Sequence, residues 1–273
     1  MFKRIVVGLD GSVSSWNAVD YAFDLAKVIN VPVIGVYVID DRIINEAFLT
    51  DLLGFLGFTF YEDLTPKVKE FLNKRADQVL NQFLEYGRDK EISVSVVKLE
   101  GVPYKELIDL TDSEDILFLG KKGEKYIKGF LLGSTSYIVA KRSNFPVFLS
   151  TSSLRRIKSI GVAYDGRHNA IKLIEFAKLF KGVYDADVHF IYVKESRNIE
   201  EIESEILESV DYEFIFHGRE GIPEEEIINV CREEDIDLLI MGAFSKGEFK
   251  ELILGSVTSF VINNLDVPLL LVK

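Results

Sequence analysis

The sequence predicts an α/β protein with two halves, each a doubly wound sheet of five parallel strands with helices on both faces. Three features of the 273 residues support this prediction. Short β-branched runs alternate with helix-like stretches, which is typical of parallel sheets with helical crossovers. The runs are apolar at nearly every position, as in strands whose two faces are both covered. The whole pattern also occurs twice, which indicates a tandem duplication.

The duplication can be followed residue by residue. RIVVGLD, which ends at Asp10, recurs as KSIGVAYD, which ends at Asp165, and the same offset of 155 relates Val38 to Val193. Later in the chain the offset is 122, as in the pairs Gly133 with Gly255, Ser134 with Ser256 and Pro146 with Pro268. The fall from 155 to 122 predicts about 33 extra residues in the first half, within roughly 40–88.

These patterns assign elements and boundaries to both halves. We expect domains at 1–150 and 156–273, joined by a linker at 150–155. In the first half the expected strands are 4–10, 31–38, 92–99, 116–120 and 145–149, and the expected helices are 14–29, 62–88, 103–112 and 134–142, with Ser14 as a helix cap. In the second half the expected strands lie near 157–165, 187–193, 212–217, 237–242 and 267–272.

Composition and charge exclude several classes of protein. The chain is 48% hydrophobic and 28% charged, which is typical of a globular protein and excludes a disordered one. Its net charge of -12 argues against a general nucleic-acid or membrane-surface binder. The single cysteine and the lack of a signal peptide predict a cytoplasmic protein. The most apolar stretch, 52–60, has only nine residues, so no membrane span is expected.

A glycine-rich loop follows the fourth strand of the first half. It reads Gly120, Lys121, Lys122, Gly123, nine further residues, and then Gly133, Ser134, Thr135 and Ser136 at a helix start. Glycines let main-chain amides approach an anion closely, and a helix start adds unpaired N–H groups and hydroxyl donors. In a parallel sheet, ligands bind beyond the carboxyl ends of the strands, where this loop lies. The loop is therefore a candidate phosphate site. It is not a Walker loop, because the nearest spacing match, 242–247, is followed by Glu248.

At these residues the sequence resembles the universal stress protein family, in two copies that span nearly the whole chain. The resemblance implies flavodoxin-like (adenine nucleotide alpha hydrolase-like) domains that bind an adenine nucleotide. It implies that Asp10 meets the adenine and Val38 lines the base or ribose pocket. The implied first site consists of Leu9, Asp10, Val38, Gly120, Lys121, Gly123, Gly133, Ser134, Thr135 and Ser136. Members of this family dimerise through their last strand, so 145–149 and 267–272 are expected to pair antiparallel as an intrachain pseudo-dimer, with a further homodimer left open.

The second half departs from the motif. The implied second site consists of Asp165, Val193, Gly242, Ser245, Gly255, Ser256, Val257 and Thr258, with Ser245 where the second glycine should stand. A positive φ is costlier at a serine, and its side chain can intrude on phosphates. The first half carries a net charge of -3 and the second -9, and the lysines of the first loop cluster at 121–128. Phosphate should therefore prefer the first half. The second half binds weakly, binds fewer phosphates, or serves only as a folded partner.

The expected function is binding of ATP, with ADP and AMP as alternatives and Mg²⁺ carried on the phosphates, in a regulatory or signalling role in stress response. No catalytic residue is expected. A slow ATPase or nucleotidyl-transferring enzyme, and an adaptor module with empty pockets, are the alternatives. His168, His189 and His217 are scattered and Cys231 stands alone, so no zinc or iron site is expected. The apolar segment 40–60 packs on its own domain, forms a subunit contact, or acts as a lid.

Overall fold

Within the part of the chain that the structure describes, ten strands form one continuous sheet. The structure is a computed structural model, and it describes residues 2–44, 64–121, 133–166, 170–243 and 254–273. The strands are β1 (Arg4–Leu9), β2 (Val33–Asp40), β3 (Val94–Gly101), β4 (Asp115–Gly120), β5 (Val147–Ser150), β6 (Ser159–Ala163), β7 (Asp187–Val193), β8 (Ile215–Arg219), β9 (Leu238–Gly242) and β10 (Leu269–Val272). Their order across the sheet is β3-β2-β1-β4-β5-β10-β9-β6-β7-β8.

Helices cover both faces of this sheet. They are α1 (Val13–Ile29), α2 (Asp41–Ile44), α3 (Leu64–Asp89), α4 (Pro103–Leu110), α5 (Ser134–Arg142), α6 (Ala170–Tyr184), α7 (Ile199–Ser209), α8 (Pro223–Glu233) and α9 (Ser256–Asn264). Helices α1, α3, α6 and α7 share one buried apolar cluster with one face of the sheet, and α4, α5, α8 and α9 share another with the opposite face. Covered faces explain why the strands are apolar at nearly every position.

The sequence-based assignments agree closely with these elements. The fold class is confirmed, and α5 begins and ends at the expected residues. One detail was wrong: the cap of α1 is Ser12, whose Oγ accepts a hydrogen bond from the N–H of Ser15, and not Ser14. Of the apolar segment 40–60, only residues 40–44 fall among the described residues, so its role stays a prediction.

The two halves join through their last strands. All neighbouring strands within each half are parallel, whereas β5 and β10 pair antiparallel, with Phe148 opposite Leu270. This confirms the expected pairing of the two final strands. Phe148 lies fully buried at the junction, with its ring centroid 4.8 Å from that of Phe118, 5.1 Å from that of Tyr21 and 6.0 Å from that of Phe180. Rings from both halves therefore pack in one cluster.

Polar contacts across the junction accompany the aromatic cluster. Nζ of Lys121, in the first half, donates to the carbonyl oxygen of Leu265 at the end of α9, 2.5 Å away. Nζ of Lys273, in the second half, donates to the carbonyl oxygen of Ala140 in α5. Each half thus provides a buried lysine to the C-terminal end of a helix in the other, where the helix dipole favours a cation. Burial lowers the pKa of Lys273 to about 7.

The segment that connects the halves is held by α1. Nδ2 of Asn17 donates to the carbonyl oxygen of Thr151, at 2.9 Å. The hydroxyl of Tyr21 accepts from the N–H of Arg155 and donates to its carbonyl oxygen. In the described ranges, no helix has the length and apolar character that crossing a bilayer requires.

The aromatic cluster predicts a large cost for Phe148→Ala. Removing a fully buried ring leaves a cavity and should lower the free energy of unfolding by about 3–5 kcal/mol. The matched control is Phe71→Ala, because the Phe71 side chain is 63% exposed and its removal should change stability by roughly 0.5 kcal/mol or less. Urea denaturation followed by circular dichroism measures both. A cost for Phe148→Ala no larger than that of the control would refute the role given to this cluster.

Candidate functional site

The candidate site lies at the carboxyl ends of β1 and β4. These strands are adjacent, while the chain runs from β1 outward to β2 and β3 on one side and from β4 to β5 on the other. The strand order therefore reverses between β1 and β4. In an open parallel sheet, the loops at such a reversal diverge and leave a crevice where ligands bind.

A tight turn links β1 to α1. Oδ1 of Asp10 accepts a hydrogen bond from the N–H of Ser12, at 2.9 Å, and Gly11 has a φ of 83°, a left-handed conformation that favours glycine. The side chain of Asp10 is only partly buried. The carboxylate of Asp10 thus fixes the turn at the rim of the crevice, where the resemblance places an adenine contact.

The end of β4 lies directly against the start of α1. A Cβ atom built on Gly120 would lie 2.5 Å from Oγ of Ser14 and 2.8 Å from the main-chain nitrogen of Ser15. No side chain fits between these backbones. The glycine at position 120 is therefore required by the close approach of two elements, independently of any ligand.

The glycine-rich loop is closed at its base by two hydrogen bonds. The N–H of Gly133 donates to the carbonyl oxygen of Lys121, at 2.7 Å, and Oγ of Ser136 donates to that of Gly120, also at 2.7 Å. Ser136 is buried, so its hydroxyl anchors α5 to the end of β4. Gly123, in contrast, lies outside the described residues.

Above this base, α5 begins at Gly133, its N-cap residue, which has extended backbone angles (φ -68°, ψ 151°). Among the residues that the structure describes, no side chain caps the first amides of the helix. Ser134 is exposed and Thr135 is half-buried. Uncapped amides and the positive end of the helix dipole, together with two hydroxyls, make a suitable site for a phosphate group.

Three other residues of the expected first site, Lys121, Leu9 and Val38, differ in how far they are buried. Lys121 is completely buried and its ammonium group contacts Leu265, so it belongs to the junction between the halves and not to the open crevice. The side chain of Leu9 is buried in the core. Val38 is partly buried near the end of β2 and packs on the same face as α5. Of these three, Val38 is the one that is partly exposed.

The second half reproduces the framework of the site. Gly166, which follows Asp165, has a φ of 66°. Oγ1 of Thr258 donates to the carbonyl oxygen of Gly242, at 3.0 Å. The N–H of Gly255 donates to the carbonyl oxygen of Ala243, at 3.3 Å. These contacts match those of Gly11, Ser136 and Gly133. Gly255 is the N-cap of α9, again with no side-chain cap from the described part of the chain, and it is followed by exposed Ser256 and half-buried Val257. Val193 is buried at the end of β7, and Ser245 lies outside the described residues.

The rim of the second half differs from that of the first. The hydroxyl of Tyr164 donates to Glu205 at 2.7 Å, and Arg197 pairs with Glu205, also at 2.7 Å. Burial and this hydrogen bond raise the pKa of Tyr164, and the same hydrogen bond helps to keep the pKa of Glu205 below its usual value. A Cβ built on Gly166 would lie 2.7 Å from Cδ1 of Ile202. Side chains of the β7–β8 crossover thus pack tightly against this turn.

The sequence reasoning missed two features of the structure, one at this site and one elsewhere. Nη2 of Arg75, on α3, lies 3.6 Å from a Cβ built on Gly11, so the insertion brings a guanidinium group to the turn after β1. Nothing in the long charged helix around Arg75 indicates in the sequence that this side chain reaches the turn after β1. The expectation that the histidines lie apart was also wrong: Nδ1 of His189 is 3.0 Å from Nε2 of His217. Neighbouring strands bring together residues that are distant in sequence.

A comparison with known families identifies the chain. The model of the universal stress protein family matches residues 1–150 and 199–273. The chain belongs to this family. Universal stress protein Slr1230 from Synechocystis sp. is 26% identical to it over 287 aligned positions, which cover 98% of this chain and 99% of the relative. A relative of nearly the same extent supports a tandem organisation.

Two further comparisons agree. Universal stress protein MJ0577 from Methanocaldococcus jannaschii is 41% identical over 153 positions, covering 55% of this chain and 94% of the relative. This relative therefore corresponds to about half of the chain. A crystal structure of a universal stress protein from Archaeoglobus fulgidus superimposes with a TM-score of 0.76 at 22% identity, covering 99% of this chain and 98% of that one. The likeness shows that both share the two-domain fold.

The different packing around the two strand-end glycines gives a matched pair of variants. Gly120→Ala should lower the free energy of unfolding by about 1–3 kcal/mol, because its Cβ collides with Ser14 and Ser15. Gly242→Ala should cost roughly 0.5 kcal/mol or less, since no atom of the described residues lies within 4 Å of the added Cβ. Chemical denaturation of both variants measures the difference. Equal costs would show that β4 and α1 do not approach as closely as described.

Proposed function

We propose that the first half of this universal stress protein binds an adenine nucleotide, with ATP as the expected ligand and ADP and AMP as alternatives. The observation that carries the proposal is the start of α5, which lies beside the carboxyl ends of β1 and β4 and which no side chain of the described residues caps. The nucleotide would serve a regulatory or signalling role in the stress response, in the cytoplasm, without catalysis by a dedicated residue.

The phosphate end of the ligand would lie at α5. Main-chain N–H groups from Ser134 onward and the hydroxyls of Ser134 and Thr135 would donate to phosphate oxygens. The bond between Gly133 and Lys121 fixes where the loop returns to the helix, so these donors are already held in place. Pre-positioned donors reduce the entropy lost on binding. Mg²⁺ would bind through the phosphate oxygens, because such ions are commonly held by substrate phosphates.

The base and ribose would lie toward β1 and β2. Asp10 stands at the rim with a carboxylate that accepts hydrogen bonds, which suits the exocyclic amino group of adenine. Val38, on the α5 face of the sheet, offers an apolar contact for the base or ribose. Arg75 adds positive charge near the same turn. Lys121 is omitted from the proposed ligand contacts because of its burial in the junction.

We expect the second half to bind nucleotide more weakly. The first half carries a net charge of -3 and the second -9, so a polyphosphate is repelled more strongly by the second. A carboxylate also lies beside the second crevice, in Glu205, which accepts from Tyr164. The charge of the neighbouring Arg197 is already paired with Glu205. The framework of the second half is nevertheless intact, which suits a pseudo-dimer that descends from two binding units.

The near-symmetry of the two helix starts provides a test. Gly133→Val places a branched side chain at the N-cap of α5, where it would obstruct the phosphates, yet the extended backbone at this position is one that valine adopts readily. We expect nucleotide affinity to fall at least about tenfold, as loss of charge-assisted hydrogen bonds implies. Gly255→Val, at the matching position of α9, should leave the tighter site unchanged. Isothermal titration calorimetry with Mg²⁺ and ATP measures both.

The controls separate misfolding and the competing functions. Circular dichroism and urea denaturation establish that both variants fold. Unchanged affinity in Gly133→Val, or a loss confined to Gly255→Val, would contradict the proposal. If the wild-type chain retains no adenine nucleotide at millimolar concentration, the adaptor function is correct instead. Sustained phosphate release from ATP by the purified chain would indicate an enzyme.

A further inference from the structure

Two histidines and a glutamate converge in the second half, away from the proposed nucleotide site. His189 lies in β7, His217 lies in β8 and Glu234 directly follows α8. Nδ1 of His189 is 3.0 Å from Nε2 of His217 and 4.0 Å from Oε2 of Glu234, and one ligand atom from each of the three residues lies within 4.8 Å of the others. Among the described residues, this is the one group of three or more His, Cys, Asp or Glu with such geometry.

The fold explains why these three residues meet. In the parallel pair β7–β8, His189 is opposite Ile215 and His217 is opposite Ile191, so the two histidines occupy diagonal positions on the same face. That face is covered by α8, which packs on β7. Glu234 is the C-cap residue of α8 and comes to the same place from above the sheet. Three separate elements therefore each provide one donor, and β8 is an edge strand, which leaves a path for an ion.

The local electrostatics suit metal coordination. Burial lowers the pKa of both imidazoles despite the nearby carboxylates of Asp187, Glu233 and Glu234, and Arg219 lowers that of His217 further. Metal ions bind the neutral form of imidazole. Glu233 is engaged by Arg219, at 2.5 Å, whereas the carboxylate of Glu234 is the one beside the rings.

We propose that His189, His217 and Glu234 form a binding site for a divalent transition-metal ion of the Zn²⁺ class. Two imidazole nitrogens and one carboxylate oxygen are a donor set that Zn²⁺ favours, and a fourth position stays open to water. The ion would connect the edge strand β8 to β7 and to the end of α8. The site would thus be a structural or regulatory centre of the second half.

Only small movements separate the observed geometry from a coordinated one. Zn–N bonds of about 2.0–2.1 Å in a tetrahedral site place two nitrogens roughly 3.3 Å apart. The two rings are nearly coplanar, with an interplanar angle of 5°, so their nitrogens face each other across a hydrogen bond. The rings would tilt and separate slightly, and the donor ring would change tautomer, so that its proton is carried on its other nitrogen and both facing nitrogens can bind the ion. The side chain of Glu234 is 37% exposed, so it can rotate closer to the rings.

Zinc titration of the chelator-treated full-length chain tests this site. We expect binding at a ratio of one ion per chain, in the presence of excess Mg²⁺ to occupy weak surface carboxylates. His217→Asn and Glu234→Gln should each weaken binding at least about tenfold, since loss of a single outer-shell partner already costs that much. The matched controls are His168→Asn, the third histidine, and Glu233→Gln, the neighbouring carboxylate, and both should bind as the wild type does.

Cobalt substitution identifies the ligands directly. Co²⁺ held by nitrogen and oxygen donors should give visible d–d bands that disappear in His217→Asn. A sulfur-to-cobalt charge-transfer band would instead implicate Cys231 and overturn the assignment. Absence of zinc binding in the wild type, or equal affinity in all four variants, would equally overturn it. Glu234→Gln changes a partly exposed side chain, so it provides a folded test even if His217→Asn does not fold, as circular dichroism would reveal.

Discussion

The antiparallel pairing of β5 with β10 determines how everything else in this molecule is arranged. It turns two five-stranded parallel sheets into one sheet of ten strands, and it buries the strand edges that each half would otherwise expose. Because the two strands run in opposite directions, the carboxyl ends of the two halves lie at opposite edges of the sheet. The first crevice therefore borders the amino edge of the second half.

This arrangement connects the proposed nucleotide site with the junction. Lys121 directly follows β4 and lies at the start of the glycine-rich loop. Its main-chain carbonyl oxygen accepts a hydrogen bond from the N–H of Gly133, and its ammonium group donates to the carbonyl oxygen of Leu265 in the other half. One residue thus contributes both to the base of the loop and to the contact between the halves. The geometry at the start of α5 depends in this way on the docking of the second half.

The two halves share the hydrogen bonds and turns at their strand ends, but they differ in the side chains that pack around these turns. Ser136 and Thr258 make the same anchoring hydrogen bond, and Gly11 and Gly166 adopt the same left-handed turn. The crossovers above them differ: the insertion helix α3 covers the first turn, whereas the shorter α7 brings Ile202 to the second. The shared hydrogen bonds pair polar main-chain groups, which need a partner when they are buried, so both halves keep them. The side chains around the turns have no such requirement and differ between the halves.

The sequence predicted the strands and most helix boundaries, because burial leaves a local pattern and the duplication repeats it. The final antiparallel pair was expected from the resemblance to the universal stress protein family. The sequence could not predict that Lys121 is buried or that Ser12 caps α1. Lys121 stands beside glycines and other lysines, which suggested a phosphate contact, but its environment comes from a helix 144 positions later. The pair of His189 and His217 likewise depends on strand register, which linear spacing does not reveal.

A crystal structure of the chain with a non-hydrolysable ATP analogue and Mg²⁺ tests the central claim most directly. The account predicts phosphates at the start of α5, over Ser134 and Thr135, with the base beside Asp10 and Val38. Phosphates bound elsewhere, or a crevice filled by residues of 122–132 with no nucleotide bound, would contradict it.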